Sequence, residues 1–130
     1  MYELSLALTG DERLPFANVE CDAGGWATTL FDSPPGIKLI GCSEVLTWKE
    51  WMQRWSERNG VPARFRQCSD ETQSAYLGGA GASTLEAMRF VAEYAMASGD
   101  PEAVLPGDIG ASVTSVAEAM AKVEWSSILH

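Results

Sequence analysis

A mixed α+β fold, of about three strands and four to five helices, follows from three observations. Residues 2–8 alternate apolar and polar with period two. Residues 47–60 carry a capping box and an apolar series at i, i+3, i+4 and i+7. A strand-like stretch at 61–68 then precedes a second long apolar stripe. At 130 residues, 46% of them hydrophobic and 21% charged, the chain is long enough to bury one core without disulfide or metal staples, so one domain over 1–130 is expected.

In chain order, Tyr2-Glu3-Leu4-Ser5-Leu6-Ala7-Leu8 reads as a strand turned by Thr9-Gly10-Asp11, and 16–20 continues extended. Asp22 occupies the position expected of an N-cap ahead of a helix over 23–31, which Pro34-Pro35-Gly36 stops. A second strand is predicted over 37–42. Thr47-Trp48-Lys49-Glu50 then forms a capping box, whose hydroxyl and carboxylate satisfy amides with no intrahelical partner, and Asn59-Gly60 ends that helix. Trp48, Trp51, Met52 and Trp55 share one face of it. A third strand over 61–68 sends Arg64 and Arg66 to one side, Ala63 and Phe65 to the other. Ser69-Asp70-Glu71 opens a short helix through Leu77, and Gly78-Gly79-Ala80-Gly81-Ala82 reads as a flexible loop. Ser83-Thr84-Leu85-Glu86 is a second capping box, leading the stripe Leu85, Met88, Val91, Ala92, Ala95, Met96 toward Gly99-Asp100-Pro101. Ser115 and Glu118 repeat the cap spacing ahead of 119–123, and the tail at 124–129 is expected to pack back.

Charge and cysteine usage narrow the function classes. Nine Lys and Arg against 18 Asp and Glu leave −9, distributed as −3 over residues 1–65 and −6 over 66–130. Such a surface repels phosphate backbones and anionic lipid, so neither nucleic acid nor a membrane is an expected partner. No apolar run approaches the ~20 residues that span a bilayer, and no basic segment leads an apolar signal core, which points to the cytoplasm. Cys21, Cys42 and Cys68 are widely spaced, without a CxxC, and the sole histidine is His130; no metal site is expected. Three reduced, mostly buried thiols are the simplest reading, since a Cys–His pair would have to recruit His130 from the terminus.

The order of these segments resembles a known family. Val19-Glu20-Cys21-Asp22-Ala23-Gly24-Gly25-Trp26 before a helix and Pro34-Pro35-Gly36, the strand at 37–42, Glu44-Val45-Leu46-Thr47-Trp48-Lys49-Glu50 opening the next helix, then Asn59-Gly60 and the Arg-bearing strand, are similar to the C-terminal half of the NmrA-like family. The resemblance continues through the helix at 84–98 to Trp125. Members of that family resemble short-chain dehydrogenases, so it implies a truncated dehydrogenase-like lobe that faces substrate, without the dinucleotide-binding half. Gly78-Gly79-Ala80-Gly81 does not replace the missing glycine-rich turn, because it follows a short helix rather than a buried strand. No nicotinamide cofactor is therefore expected. An apolar surface left uncovered by the missing half would be buried most simply in a homodimer.

Among individual residues, Trp48, Trp51 and Trp55 read first as core and second as a platform for a flat, polycyclic ligand. Asp22 reads first as a cap. Beside Gly24, Gly25 and Trp26, however, its carboxylate could stand at a pocket mouth with Trp26 as the aromatic wall, where desolvation would raise its pKa into a range useful for proton transfer. Glu20 and Asp32 are secondary choices. Tyr76 is the expected hydrogen-bond donor to a carbonyl or enolate, set against a packed, half-exposed tyrosine. Arg64 and Arg66 are expected to pair with carboxylates. Two function classes follow. The first is a cofactor-independent enzyme of secondary metabolism, an isomerase, cyclase or lyase acting by proton transfer through Asp22 and Tyr76 on a hydrophobic small molecule. The second is a non-catalytic binding or regulatory module, since the resembled family includes regulators that bind without turnover.

Overall fold

The computed structural model of the protein describes residues 1–129. Its elements run β1 (Tyr2–Leu6), β2 (Leu14–Phe16), α1 (Val19–Phe31), β3 (Lys38–Leu39), β4 (Glu44–Leu46), α2 (Trp48–Asn59), β5 (Ala63–Gln67), α3 (Asp70–Leu77), α4 (Gly81–Tyr94), β6 (Ala103–Val104) and α5 (Val116–Lys122), with 3-10 turns at Gly78–Ala80 and Pro106–Ile109. The class is mixed α+β, as the sequence predicts. The strands are shorter and twice as numerous as expected: among the described residues there are six, none longer than five residues.

Two compact units share the chain, Met1–Leu14 with Val45–Gly99 and Pro15–Glu44 with Asp100–His130, so the chain passes between them within β2, within β4 and after Gly99. In the first unit β1 and β5 pair in parallel, Tyr2 opposite Ala63 and Leu6 opposite Gln67, and Cys68 N–H closes the ladder on Leu6 O at 2.9 Å. Helix α2 is the last element of the long connection between them, which a parallel pair requires. Its capping box is realised, with Thr47 Oγ1 accepting from Glu50 N–H at 3.1 Å and Glu50 Oε2 from Thr47 N–H at 2.8 Å, and it ends on Gly60 at φ 65°. Ala7, Leu8, Leu14, Leu46, Met52, Trp55 and Leu85 form the core of this unit.

Three expectations here are corrected. Asn18, not Asp22, caps α1: its Oδ1 accepts from Cys21 N–H at 3.2 Å, the helix starts at Val19, and Asp22 lies inside the first turn, where its charge favours the positive helix end. The glycine run is no flexible loop. It forms a 3-10 turn that continues directly into α4, and Gly81 is required there because a Cβ would lie 2.7 Å from Ser74 Cα. Ser83 consequently falls within α4 rather than capping it, its Oγ donating to Ala80 O, and the helix ends at Tyr94 rather than Ser98.

The second unit has little strand. β3 and β6 pair in parallel over two residues, Lys38 with Ala103 and Leu39 with Val104. Trp26, Cys42, Pro106, Val116 and Met120 are its buried apolar groups. Ser115 and Glu118 form the expected capping box of α5, and Trp125 packs back by donating from Nε1 to Met120 O at 3.0 Å. No helix is long and apolar enough to cross a membrane among the described residues.

Candidate functional site

Asp22 and Trp26 stand one turn apart on α1 and both engage the segment leading into α5. Asp22 is 7% exposed; its Oδ2 accepts from Thr114 N–H at 2.8 Å and its Oδ1 from Thr114 Oγ1 at 2.7 Å. Trp26, equally buried, donates from Nε1 to Ser112 O at 2.9 Å. Its ring lies against Gly41, where a Cβ would approach to 2.8 Å. Glu44 adds a third tie, accepting Val116 N–H at 2.7 Å. These three side chains therefore satisfy backbone groups of an irregular segment that has no ladder of its own. The Asp22 carboxylate is turned onto Thr114.

The remaining predicted residues belong to the first unit. Trp48 and Trp51 are half-buried and meet edge to face, centroids 5.9 Å apart at 66°, whereas Trp55 is buried at 4% exposure with its ring edge-on to Tyr2 at 5.5 Å. The tryptophan stripe is thus divided: Trp55 with Met52 is core, and Trp48 with Trp51 reaches solvent. Tyr76, near the end of α3, is 66% exposed. Arg64 and Arg66 both pair with Glu3, at 2.8 and 2.7 Å, and the Arg64 hydrogen bond is the chief reason that the Glu3 carboxyl lies below its usual range. The second-choice carboxylates, Glu20 and Asp32, are exposed on α1 and at its C-cap. Among the described residues no three His, Cys, Asp or Glu side chains converge as a metal site would require, and His130 lies outside the described residues.

Sequence reasoning missed Gln73, Arg89 and Thr114. Gln73, at 1% exposure, accepts Ala7 N–H on Oε1 at 2.6 Å just beyond β1, while its Nε2 has no hydrogen-bond partner among the described residues. Arg89 spans Asp70, through two hydrogen bonds of 2.9 and 3.0 Å, and Ala7 O at 3.1 Å, and its guanidinium lowers the Asp70 pKa. Gln73 and Arg89 serve the backbone of Ala7 and Thr114 meets the Asp22 carboxylate, partners distant in sequence that no local spacing announces. Of the thiols, Cys42 is buried, Cys68 intermediate and Cys21 exposed, so burial of most of them is corrected to one. Comparison with protein-family models, with curated proteins and with solved structures returned no match.

Proposed function

We propose that the chain is a non-catalytic binding module for a flat, hydrophobic small molecule, in the manner of an NmrA-like substrate-side lobe. The observation that carries this reading is the Asp22 carboxylate, both of whose oxygens accept hydrogen bonds from Thr114. A general base must present a lone pair to its substrate. Asp22 is instead buried and ties down Thr114 through its backbone and its hydroxyl. The edge-to-face Trp48–Trp51 pair, half in solvent, supports the ligand class, because aromatic faces hold flat apolar molecules without any need for charge. Free thiols at Cys21, Cys42 and Cys68 support a cytoplasmic setting.

Titration with pyrene, followed by quenching of tryptophan emission, tests the binding reading. Trp51→Ala is expected to weaken saturable binding by about tenfold, in line with loss of an aromatic anchor, while leaving Trp55 and Met52 in the core. Equal titration curves for the two proteins would remove the platform. Chemical conversion of an apolar ligand, lost in Asp22→Asn, would replace this reading with the cofactor-independent isomerase, cyclase or lyase.

The same reading includes self-association. Ala87, Phe90 and Tyr94 are exposed along one face of α4, with the two rings 4.9 Å apart. We propose a second copy as the occupant of this face: about an antiparallel two-fold axis, Phe90 would cover the partner's Ala87 and Tyr94 the partner's Ser83, large on small at both places. Light scattering at micromolar concentration should give twice the 14.0 kDa chain mass, and Phe90→Ser should return it to 14.0 kDa. A wild-type mass of 14.0 kDa would rule the dimer out.

A further inference from the structure

The β1–β5 pair is a sheet of two strands, so each strand has an outer edge that pairs with no other strand among the described residues. In a parallel ladder, successive residues of a strand turn their backbone groups to opposite sides. Tyr2 N–H bonds Pro62 O and Cys68 N–H bonds Leu6 O, both at 2.9 Å, so the N–H and C=O groups of Ala63, Phe65 and Gln67 point outward from β5. We propose that this edge receives, as an added strand, an extended acidic segment of a partner protein.

The two edges differ. On the β1 side the outward groups of Ala7 are already taken, its N–H by Gln73 Oε1 at 2.6 Å and its C=O by Arg89 Nη2 at 3.1 Å, so side chains stop a strand there. Along β5 the outward groups of Ala63, Phe65 and Gln67 meet no such partner among the described residues. Tyr2, whose ring touches Trp55 of α2, is in register with Ala63, which places α2 on the face of the sheet that carries Ala63 and Phe65. Arg64 and Arg66 stand on the opposite face, and an unpaired edge is a ready template for another strand.

Charge selects that strand. The side chains of Arg64 and Arg66 are 61% and 58% exposed, and both are paired with the single carboxylate of Glu3, two guanidiniums on one anion in a chain of net charge −9. Arg66 reaches Glu3 through Nε, so its terminal nitrogens are available to a second carboxylate. On a strand added beside β5, residues two apart would lie opposite Arg64 and Arg66, and acidic side chains there form cross-strand ion pairs. The residue between them falls on the α2 side next to Phe65, where an apolar group suits. The same arginines disfavour a second copy of β5: paired antiparallel about Phe65, Arg64 of each copy would face the partner's Arg66, like charge on like.

The test uses the full chain and two short fluorescein-labelled peptides, one alternating valine with glutamate and one alternating valine with lysine. Fluorescence anisotropy should show saturable binding of the glutamate peptide, about tenfold tighter than that of the lysine peptide, the scale of two cross-strand charge pairs. Amide exchange followed by NMR should slow at Ala63, Phe65 and Gln67, whose N–H groups gain partners. Arg64→Gln combined with Arg66→Gln should erase the preference for glutamate. Gln67→Pro removes one outward donor without touching the bonds to β1, which Arg66 and Cys68 make, and should weaken binding by about fivefold, the scale of one hydrogen bond. Equal binding of the two peptides by the wild-type chain, or binding that leaves these three amides unprotected, overturns the proposal. Protection of the same amides that rises with protein concentration in the absence of peptide assigns the edge to a second copy, and overturns it as well.

Discussion

The two units of this chain are held together by different means. In the first, a five-residue parallel strand pair and a helix capped at both ends provide regular hydrogen bonding, and side chains mainly fill space around Trp55 and Met52. In the second, the strand pair is two residues long, and Asp22, Trp26 and Glu44 satisfy Thr114, Ser112 and Val116 one at a time. Charge follows the same division. The first unit holds nine acidic and seven basic residues, six of the latter Arg, whereas the second holds nine acidic and two basic. Where backbone repeats, stability is spread over many equivalent bonds; where it does not, single side chains carry a disproportionate share.

That contrast can be broken at its strongest points. Trp55→Ala should destabilise the chain by about 3–5 kcal/mol, the range for removing a buried aromatic. Native-state hydrogen exchange should show the lost protection concentrated in β1, α2 and β5. Asp22→Ala should cost about 2–3 kcal/mol, because it strips two charge-assisted bonds and leaves Thr114 N–H unpaired. Its protection losses should fall in α1 and the segment before α5. Asp22→Asn retains a carbonyl acceptor and should cost about half as much. If Asp22→Ala melted like wild type, the second unit would not depend on its clasp.

Smaller effects sharpen the comparison. Ala95, just past α4, sits at φ 59° and ψ 168°, a region natural only to glycine. Ala95→Gly should therefore stabilise the first unit, by about 1 kcal/mol in a urea titration. The smallest effect is in pH. In the second unit Glu102, then Asp100, raise the Lys38 pKa, so their contribution is complete below the ordinary lysine value of 10.5 and disappears as pH rises through the raised value. Exchange protection at β3 and β6 should weaken there first, since the Arg64, Arg66 and Arg89 pairs of the first unit keep their charge. Below about pH 4 both units lose such contributions, from Asp70 in the first and Asp100 in the second, since each lowered pKa confers stability that is lost as pH falls through it.

Legibility followed the range of the interaction. The Thr47, Ser69 and Ser115 caps were readable because acceptor and donor lie three residues apart in the chain. Asp22 was misplaced as a cap because Asn18, four residues earlier, competes for the same role, and only the backbone turn at Asn18 decides between them. β4 and β6, three and two residues long, are too short for any period to show. Of the candidate site, the pairing of Asp22 with Trp26 was suggested by their closeness in the chain, beside Gly24 and Gly25. The residues they serve, Thr114 for Asp22 and Ser112 for Trp26, lie 92 and 86 positions away.

By itself the sequence determined the mixed class, the α2 capping box, the α3 and α5 starts, the tryptophan face and the acid excess, all properties of local spacing or composition. The tertiary structure alone decided which tryptophans stay in solvent, that a glycine run becomes a tight turn against Ser74, that Asp22 is a clasp on Thr114, and that Lys122 meets Cys21 across 101 positions. The physical reason is the same throughout. Helical and strand periods are written within a few residues, while a buried polar group is satisfied by whichever donor or acceptor the packed chain brings to it.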